Sequence, residues 1–221
     1  MTIKEQKIKK VKELILDASY EAHACHLGSA LSCAEILVEL FFGTKMRVGD
    51  HFIFSKASGA AAYYATMALK GMIKKEDVAG YLKHYPLSNK AVPGVIWSGG
   101  SLGHGLPIAV GLALANPNHK VFVLMGDGEI AEGTTWESVL FAAHHRLGNL
   151  NIIVDRNRLQ ACGKTEDILK IDNALELLGK LFPITVKQTT KGEGVDFMEN
   201  DYRWHYFNLT PELLAKAKKQ L

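Results

Sequence analysis

The chain has 221 residues, of which 48% are hydrophobic and 22% are charged, as is typical of a folded globular protein. The apolar content is too high, and the net charge of +3 too small, for a disordered chain. This weak positive charge also argues against a nucleic acid as partner. The length permits one large domain or two small ones.

No membrane segment or secretory leader is expected from the sequence. The apolar stretch over residues 106–115 has about half of the roughly 20 residues that a membrane span needs, and it contains a proline and a glycine. The lysine-rich N-terminus lacks the apolar region of a signal peptide. The three cysteines lack metal-ligand spacing. We therefore expect free thiols and a cytoplasmic location.

The periodicity of apolar residues predicts three helices in the first third of the chain, over residues 8–22, 32–42 and 58–71. The second helix is expected to end at a glycine, and so is the third. A glycine-rich loop over 98–105 follows. It leads into residues 106–115, which we predict to be a buried helix.

The middle of the chain has the pattern of a βαβ unit. Residues 121–125 are a short, unbroken apolar run, typical of a buried parallel strand. Residues 151–155, with the sequence Asn-Ile-Ile-Val-Asp, are predicted to be a second buried strand. Between them, residues 134–147 have helical periodicity. A third strand is predicted over 184–189, and a last helix is predicted to start at Thr210, ahead of a proline.

This alternation of strands and helices predicts an α/β fold, with a mostly parallel sheet covered by helices on both faces. Ligands of such sheets bind beyond the carboxyl ends of the strands. Residues 126–133 and 155–160 are therefore expected at the binding edge.

Gly126, Asp127 and Gly128 directly follow the strand at 121–125. Glycines let a ligand approach the backbone closely, and an aspartate oxygen is a ligand for a hard cation such as Mg²⁺. Asn157 follows the next strand, 30 residues further on. A Gly-Asp-Gly turn alone is common, but this spacing favours a joint site for a metal and a diphosphate. The pattern is neither the dinucleotide fingerprint nor a Walker A loop.

Four motifs resemble the transketolase family. Residues 126–163 are similar to its thiamine diphosphate motif, and residues 26–37 to its early His-x-Gly segment. Residues 93–115 are similar to its Gly-Ser-Leu-Gly stretch, and residues 189–205 to its Lys-Gly-x-Gly…Trp-His end. The motifs occur in the family's order and cover most of the chain. The resemblance implies a shortened form of the family's diphosphate-binding fold, as a single domain over residues 1–221.

The resemblance also implies roles for the residues that match. It implies that Mg²⁺ is bound by Asp127, Asn157 and the backbone carbonyl of Leu159. The cofactor-binding residues that it implies are Gly126, Asp127, Gly128, Glu132, Leu102, Asn157 and Leu159. The catalytic residues that it implies, beside the thiazolium ring and the substrate, are His26, His104 and His205.

Some of these residues have structural alternatives. His26 and His205 are also compatible with purely structural histidines, and Leu102 with an ordinary core position. Glu132 and Glu137 match an acidic network that links paired active sites in the family, and Glu137 is also compatible with a solvated helix face.

The chain matches only the first of the family's three domains. The family's catalytic glutamate lies in the second domain, so the resemblance implies the N-terminal subunit of a split transketolase, inactive alone. Its expected partner is a C-terminal subunit with the pyrimidine-binding domain, in an α2β2 assembly. The expected cofactors are thiamine diphosphate and Mg²⁺, and the expected substrate is a sugar or sugar phosphate.

Two family histidines are missing. Ser58 ends the motif that is usually Ser-Lys-Gly-His, and the region around Pro86 replaces the usual Gly-His-Pro. The segment 163–191 is also shorter than usual. Three functions stay open: two-carbon ketol transfer, a specialised acyl or ketol transfer to an unusual sugar, and a degenerate, non-catalytic domain that only binds a partner.

Overall fold

Four parallel strands form a sheet in the order β1-β2-β3-β4. The computed structural model describes residues 1–44 and 46–221. The strands are β1 (His51–Phe54), β2 (Val121–Gly126), β3 (Leu150–Arg156) and β4 (Ile184–Gln188). Because all four strands run parallel, their carboxyl ends meet at one edge of the sheet.

Helices cover both faces of this sheet. The described helices are α1 (Ile3–Ala22), α2 (Leu27–Phe42), α3 (Ala60–Lys70), α4 (Val78–His84), α5 (Gly105–Ala115), α6 (Gly133–His144), α7 (Thr165–Ile168), α8 (Asp172–Leu181) and α9 (Pro211–Lys218). Residues of α1 to α4 and α9 share one hydrophobic core with one face of the sheet, and residues of α5, α6 and α8 share a second core with the other. The predicted α/β fold is confirmed.

Alternate side chains of each strand serve the two cores. Phe52 and Phe54 belong to the core of α1 to α3, whereas Ile53 belongs to the core of α5 and α6. Because strand side chains alternate between faces, the central positions of a sheet covered on both sides are apolar on either face. This explains the unbroken apolar run of β2 and the apolar centre of β3.

Local signals set several helix ends. The Thr2 hydroxyl and the Glu5 carboxylate form a capping box at the start of α1. The Thr210 hydroxyl accepts a hydrogen bond from the Leu213 backbone N–H at the start of α9, with Pro211 in the first turn, which agrees with the predicted start. Gly71 ends α3 in the left-handed conformation.

Some predicted elements were wrong in extent. α2 begins at Leu27 rather than at residue 32, and α6 ends at His144 rather than at 147. α5 is not wholly buried, since Ile108 and Leu114 are 47% and 48% exposed. Apolar content alone does not tell a helix that packs on two sides from one that leaves a face uncovered.

Four elements are not predicted from the sequence. β1 and α7 have only four residues each, too few to establish a pattern, and α4 has only seven. α8 lies within the segment 163–191, for which the sequence indicates only that it is shorter than in the family. Leu178 is the one buried residue of α8 among those described. None of the described helices is both long enough and apolar enough to cross a membrane.

Two glycines of α5 give opposite expectations for substitution by alanine. A Cβ on Gly105 would lie 2.4 Å from the Ser55 Cβ and 2.8 Å from its Cα, whereas a Cβ on Gly111 meets nothing within 4 Å. We expect Gly105→Ala to lower the free energy of unfolding by about 1–3 kcal/mol through overpacking. Gly111→Ala should raise it by about 0.5–1 kcal/mol, because glycine disfavours a helix interior. Urea denaturation measures both, and equal effects would contradict the packing of α5 on residue 55.

Candidate functional site

A cavity of about 420 Å³ opens at the carboxyl ends of the strands. This is the expected place for a ligand of a parallel sheet, and the volume is typical of small-molecule sites. Eight of the predicted site residues line it: His26, Leu102, Gly126, Asp127, Gly128, Asn157, Leu159 and His205. Ser58, which stands where the family resemblance expects a histidine, also lines the cavity.

The buried Glu129 carboxylate holds together three loops of the cavity. It accepts hydrogen bonds from the backbone N–H groups of Gly126 at 2.7 Å and Gly103 at 3.0 Å, and from the Ser55 hydroxyl. Burial raises the pKa of this carboxyl, while the three donors oppose that shift. Sequence analysis missed Glu129, although it stands directly after the Gly-Asp-Gly motif.

Asp127 lies in the short helical turn after β2 and is 3% exposed. Its Oδ2 atom accepts hydrogen bonds from the Arg158 backbone N–H at 2.7 Å and from Arg156 Nη1 at 3.3 Å. Burial raises the pKa of Asp127, although the Arg158 N–H and nearby cations act in the opposite direction. Because β2 and β3 are neighbours, the cavity contains Asp127 and Asn157 together, as their spacing predicted.

Asn157 and Leu159 present polar atoms to the same cavity. The Asn157 Oδ1 atom accepts a hydrogen bond from the Leu159 N–H at 3.0 Å, and its Nδ2 atom donates one to the Ser32 hydroxyl at 3.1 Å. The side chain amide is therefore oriented from both sides. A carbonyl oxygen has two lone pairs, so the bond from Leu159 leaves acceptor capacity on Oδ1.

A buried ion pair lies behind these groups. Lys56 and Asp155 are 5% and 0% exposed and form a direct salt bridge. The Ser32 hydroxyl donates to Asp155 at 2.7 Å, and the Thr189 hydroxyl also donates to this carboxylate. Burial on its own would lower the pKa of Lys56, but the Asp155 carboxylate raises it above the ordinary value.

Lys191 is a second cation in the cavity wall. Its Nζ atom donates to the backbone carbonyls of Gln160 at 2.8 Å and Leu159 at 3.4 Å. Burial, together with the positive charge of Lys56, lowers the pKa of Lys191 to about 8. Sequence analysis assigned no role to either lysine. Lys191 stands inside the motif at 189–205, and Lys56 stands in the segment at Ser58 that departs from the family.

His26 and His205 face each other across the cavity wall. Their rings form an edge-to-face pair with 4.6 Å between centroids. In addition, the His26 backbone N–H donates to the His205 backbone carbonyl at 3.1 Å. Burial and the charge of Lys191 lower the pKa of both imidazoles, that of His205 to about 3. Both rings are therefore neutral near pH 7.

Three residues with a predicted role, His104, Glu132 and Glu137, are not among the described residues that line the cavity. His104 is exposed, and its Nδ1 atom lies 2.9 Å from the Leu102 carbonyl oxygen. Glu132 is partly exposed and precedes α6, on which Glu137 is exposed. The roles of these three residues stay predictions, as do those of the residues inside the cavity.

The groups in the cavity fit a magnesium diphosphate. A carboxylate from Asp127, an amide oxygen from Asn157 and the Leu159 carbonyl are oxygen ligands of the kind that Mg²⁺ prefers. Lys56 and Lys191 supply positive charge for an anion. Such a set has only one acidic residue. The described residues contain no group of three or more His, Cys, Asp or Glu side chains suited to a metal.

Comparisons with known proteins identify the family of the chain. Residues 3–177 match the family model described as "Transketolase, thiamine diphosphate binding domain". The chain therefore belongs to the transketolase family and contains its thiamine diphosphate-binding domain.

Two relatives are similar along most of their length, and each is named as one subunit of an apulose-4-phosphate transketolase. The chain is 32% identical to the relative from Phocaeicola vulgatus, covering 98% of this chain and 93% of the relative. It is 35% identical to the protein of the same name from Actinobacillus succinogenes, covering 91% and 90%. The first alignment spans 264 positions against 221 residues here, which agrees with the expected shortening.

A solved structure extends the comparison to the fold. The transketolase of Campylobacter jejuni superimposes with a TM-score of 0.83 at 25% identity, over 100% of this chain and 43% of that one. The chain thus spans less than half the length of this transketolase.

The lowered pKa of His205 predicts acid sensitivity. Protonation of the folded state requires a pH near 3, whereas an unfolded histidine takes up its proton near pH 6.5. Between these values the unfolded state binds more protons, so stability falls as the pH falls. We expect His205→Gln to lose less stability than the wild type between pH 7 and pH 5, measured by urea denaturation. His84→Gln, on the exposed end of α4, is the control, and equal losses for His205→Gln and the wild type would refute the prediction.

Proposed function

We propose that this chain binds thiamine diphosphate and Mg²⁺ and, together with a partner subunit, transfers a two-carbon ketol unit between sugar phosphates. The observation that carries the proposal is one cavity with two kinds of group. The oxygen ligands are those of Asp127, Asn157 and Leu159, and the cations are Lys56 and Lys191.

In this proposal the cation and the diphosphate occupy the Gly-Asp-Gly side of the cavity. Asp127, Asn157 and the Leu159 carbonyl hold Mg²⁺. Gly126 and Gly128 allow the diphosphate to approach the backbone, because neither carries a side chain. Lys56 and Lys191 add positive charge beside it, where burial strengthens electrostatic attraction.

The other wall serves the reacting end. When bound, thiamine diphosphate supplies the carbon centre that carries the two-carbon unit during transfer. Neutral His26 and His205 accept protons or donate hydrogen bonds beside it, and His104 takes part in proton transfer with them. Leu102, which is 46% exposed at the cavity, packs on the cofactor ring, and Glu132 belongs to the link between paired active sites.

A partner subunit completes this half-site. Both relatives are named as single subunits of a transketolase, which supports a split enzyme. Exposed apolar side chains on the packed helices α5 and α6 supply a surface for docking, and these are Ile108, Leu114, Leu140 and Phe141. We propose that the chain is a single diphosphate-binding domain over residues 1–221 in an α2β2 assembly. We place it in the cytoplasm, where its three free cysteines stay reduced.

In a second candidate function, the chain acts on a substrate that differs from that of an ordinary transketolase. Ser58 lines the cavity in place of a histidine, and both relatives carry the name of the uncommon sugar phosphate apulose 4-phosphate. These two observations favour an unusual sugar as donor or acceptor. Product analysis of the two-subunit enzyme with a panel of ketose phosphate donors separates this function from ordinary ketol transfer.

We expect a cofactor-dependent partner. The full chain, immobilised as bait, is incubated with lysate of its own source, with and without Mg²⁺ and thiamine diphosphate, and bound proteins are identified by mass spectrometry. A protein with a pyrimidine-binding domain should be retained, and more of it when both cofactors are present. Self-association alone would instead favour a degenerate domain without catalytic function.

We expect Asp127→Ala to abolish Mg²⁺-dependent binding of thiamine diphosphate, because it removes the only charged ligand of the proposed metal site. Calorimetric titration of the two-subunit complex measures the affinity, and circular dichroism checks that the fold is retained. Asp167→Ala, which removes an exposed carboxylate of α7, is the control and should bind as the wild type does. Unchanged affinity in Asp127→Ala would refute the metal assignment.

A further inference from the structure

We propose that Arg156 is a positioning residue for the metal site, which sets the orientation of Asp127 and connects it to the segment 165–172. The inference rests on the proposed function, since it takes Asp127 as a ligand of Mg²⁺. It concerns a residue to which neither the motifs nor the family resemblance assigns a role.

Arg156 is the last residue of β3, and its side chain is 1% exposed. Its guanidinium contacts three carboxylates. The Nη1 atom lies 3.3 Å from Asp127 Oδ2, while Nη2 donates to Asp172 Oδ1 at 2.6 Å and to Glu166. A planar guanidinium with several fixed donors is suited to such bridging, which the single ammonium of a lysine cannot reproduce.

The described hydrogen bonds to the Asp127 side chain are accepted by one of its two carboxylate oxygens, Oδ2. Both the Arg156 guanidinium and the Arg158 backbone N–H are donors to Oδ2. Two donors on one oxygen define the plane of the carboxylate and leave Oδ1 as the oxygen for a cation. Because a small change in ligand orientation weakens a metal site, the groups that hold a ligand matter nearly as much as the ligand.

The charge balance permits this arrangement beside a cation. A guanidinium paired with Asp127 alone would neutralise the charge that Mg²⁺ needs. Here Glu166 and Asp172, which are 30% and 61% exposed, contact the other end of the guanidinium. Asp172 is also closer than Asp127, at 2.6 Å against 3.3 Å. Within this group of four side chains one guanidinium faces three carboxylates, so pairing with Arg156 does not cancel the negative charge that Asp127 offers to a cation.

The segment 165–172, which contacts the Arg156 guanidinium, is also connected to a second proposed ligand, Leu159. The chain turns back after Leu159, which forms an isolated bridge with Lys164, and the Thr165 N–H donates to the Arg158 carbonyl at 2.9 Å. Glu166 follows directly in α7. Arg156 therefore links Asp127 to the same turn that presents the Leu159 carbonyl, so one cluster sets the positions of two ligands.

The test measures metal affinity directly. Mn²⁺ replaces Mg²⁺ in the two-subunit complex with thiamine diphosphate, and electron paramagnetic resonance gives the Kd and the number of bound ions. We expect Arg156→Met to raise the Kd for Mn²⁺ by about 10- to 100-fold, the usual effect of losing a residue that orients a metal ligand, with the number of sites unchanged. Arg156→Lys, which keeps the charge but not the fork, should also weaken binding.

The control removes a different ion pair of the same sheet. Lys187 on β4 contacts Glu39 at 2.9 Å, away from the cavity lining. Lys187→Met should leave the Kd for Mn²⁺ unchanged. If Arg156→Met does not fold, the double variant Glu166→Gln/Asp172→Asn weakens the hold on the guanidinium by removing both carboxylate charges, without removing a buried side chain. It should raise the Kd by about tenfold.

The possible outcomes separate this inference from the proposed function. If the wild-type complex binds Mn²⁺ with thiamine diphosphate, and the Kd of Arg156→Met or of the double variant stays at the wild-type value, the positioning role is overturned and the metal site stands. A reduced number of sites at an unchanged Kd indicates a purely structural role and also overturns it. Absence of Mn²⁺ binding in the wild type contradicts the proposed function itself.

Discussion

A single buried carboxylate, Asp155, connects the elements that surround the cavity. It lies near the end of β3 and contacts Ser32 of α2, Lys56 after β1 and Thr189 after β4. A carboxylate with no exposed surface is stable only when it is paired and hydrogen-bonded. Removal of one partner from a buried ion pair costs about 3–5 kcal/mol, so these contacts hold the three strand ends and α2 in one arrangement.

The residues at the cavity are supported by this cluster and by the Glu129 carboxylate. Ser32 also orients the Asn157 amide, and Glu129 connects the Gly-Asp-Gly turn to the loop at Gly103. Two buried carboxylates behind the surface of the site thus determine where its oxygen ligands lie. Such preorganisation matters for the proposed magnesium site, because Mg²⁺ requires nearly regular octahedral geometry.

The chain covers 43% of the Campylobacter jejuni transketolase but 93% and 90% of the two apulose-4-phosphate transketolase relatives. This difference gives a physical meaning to the exposed apolar residues of α5 and α6. In the proposed assembly a second subunit covers them and closes the open side of the cavity. In that proposed assembly one site is divided between two chains, so cofactor binding and the association of the two chains depend on each other.

The sequence by itself determined the α/β class, the βαβ unit and the family, because buried parallel strands and ordered motifs are local features. The sequence also predicted that Asp127 and Asn157 lie close together, because each follows a parallel strand and the carboxyl ends of neighbouring parallel strands meet at one edge of the sheet. The short strand β1, the exposed face of α5, and the contacts of Glu129, Asp155 and Arg156 were decided only by the tertiary structure. Their contacts join residues far apart in the chain, such as Ser32 and Asp155, and burial and pairing of charge are properties of the packed molecule.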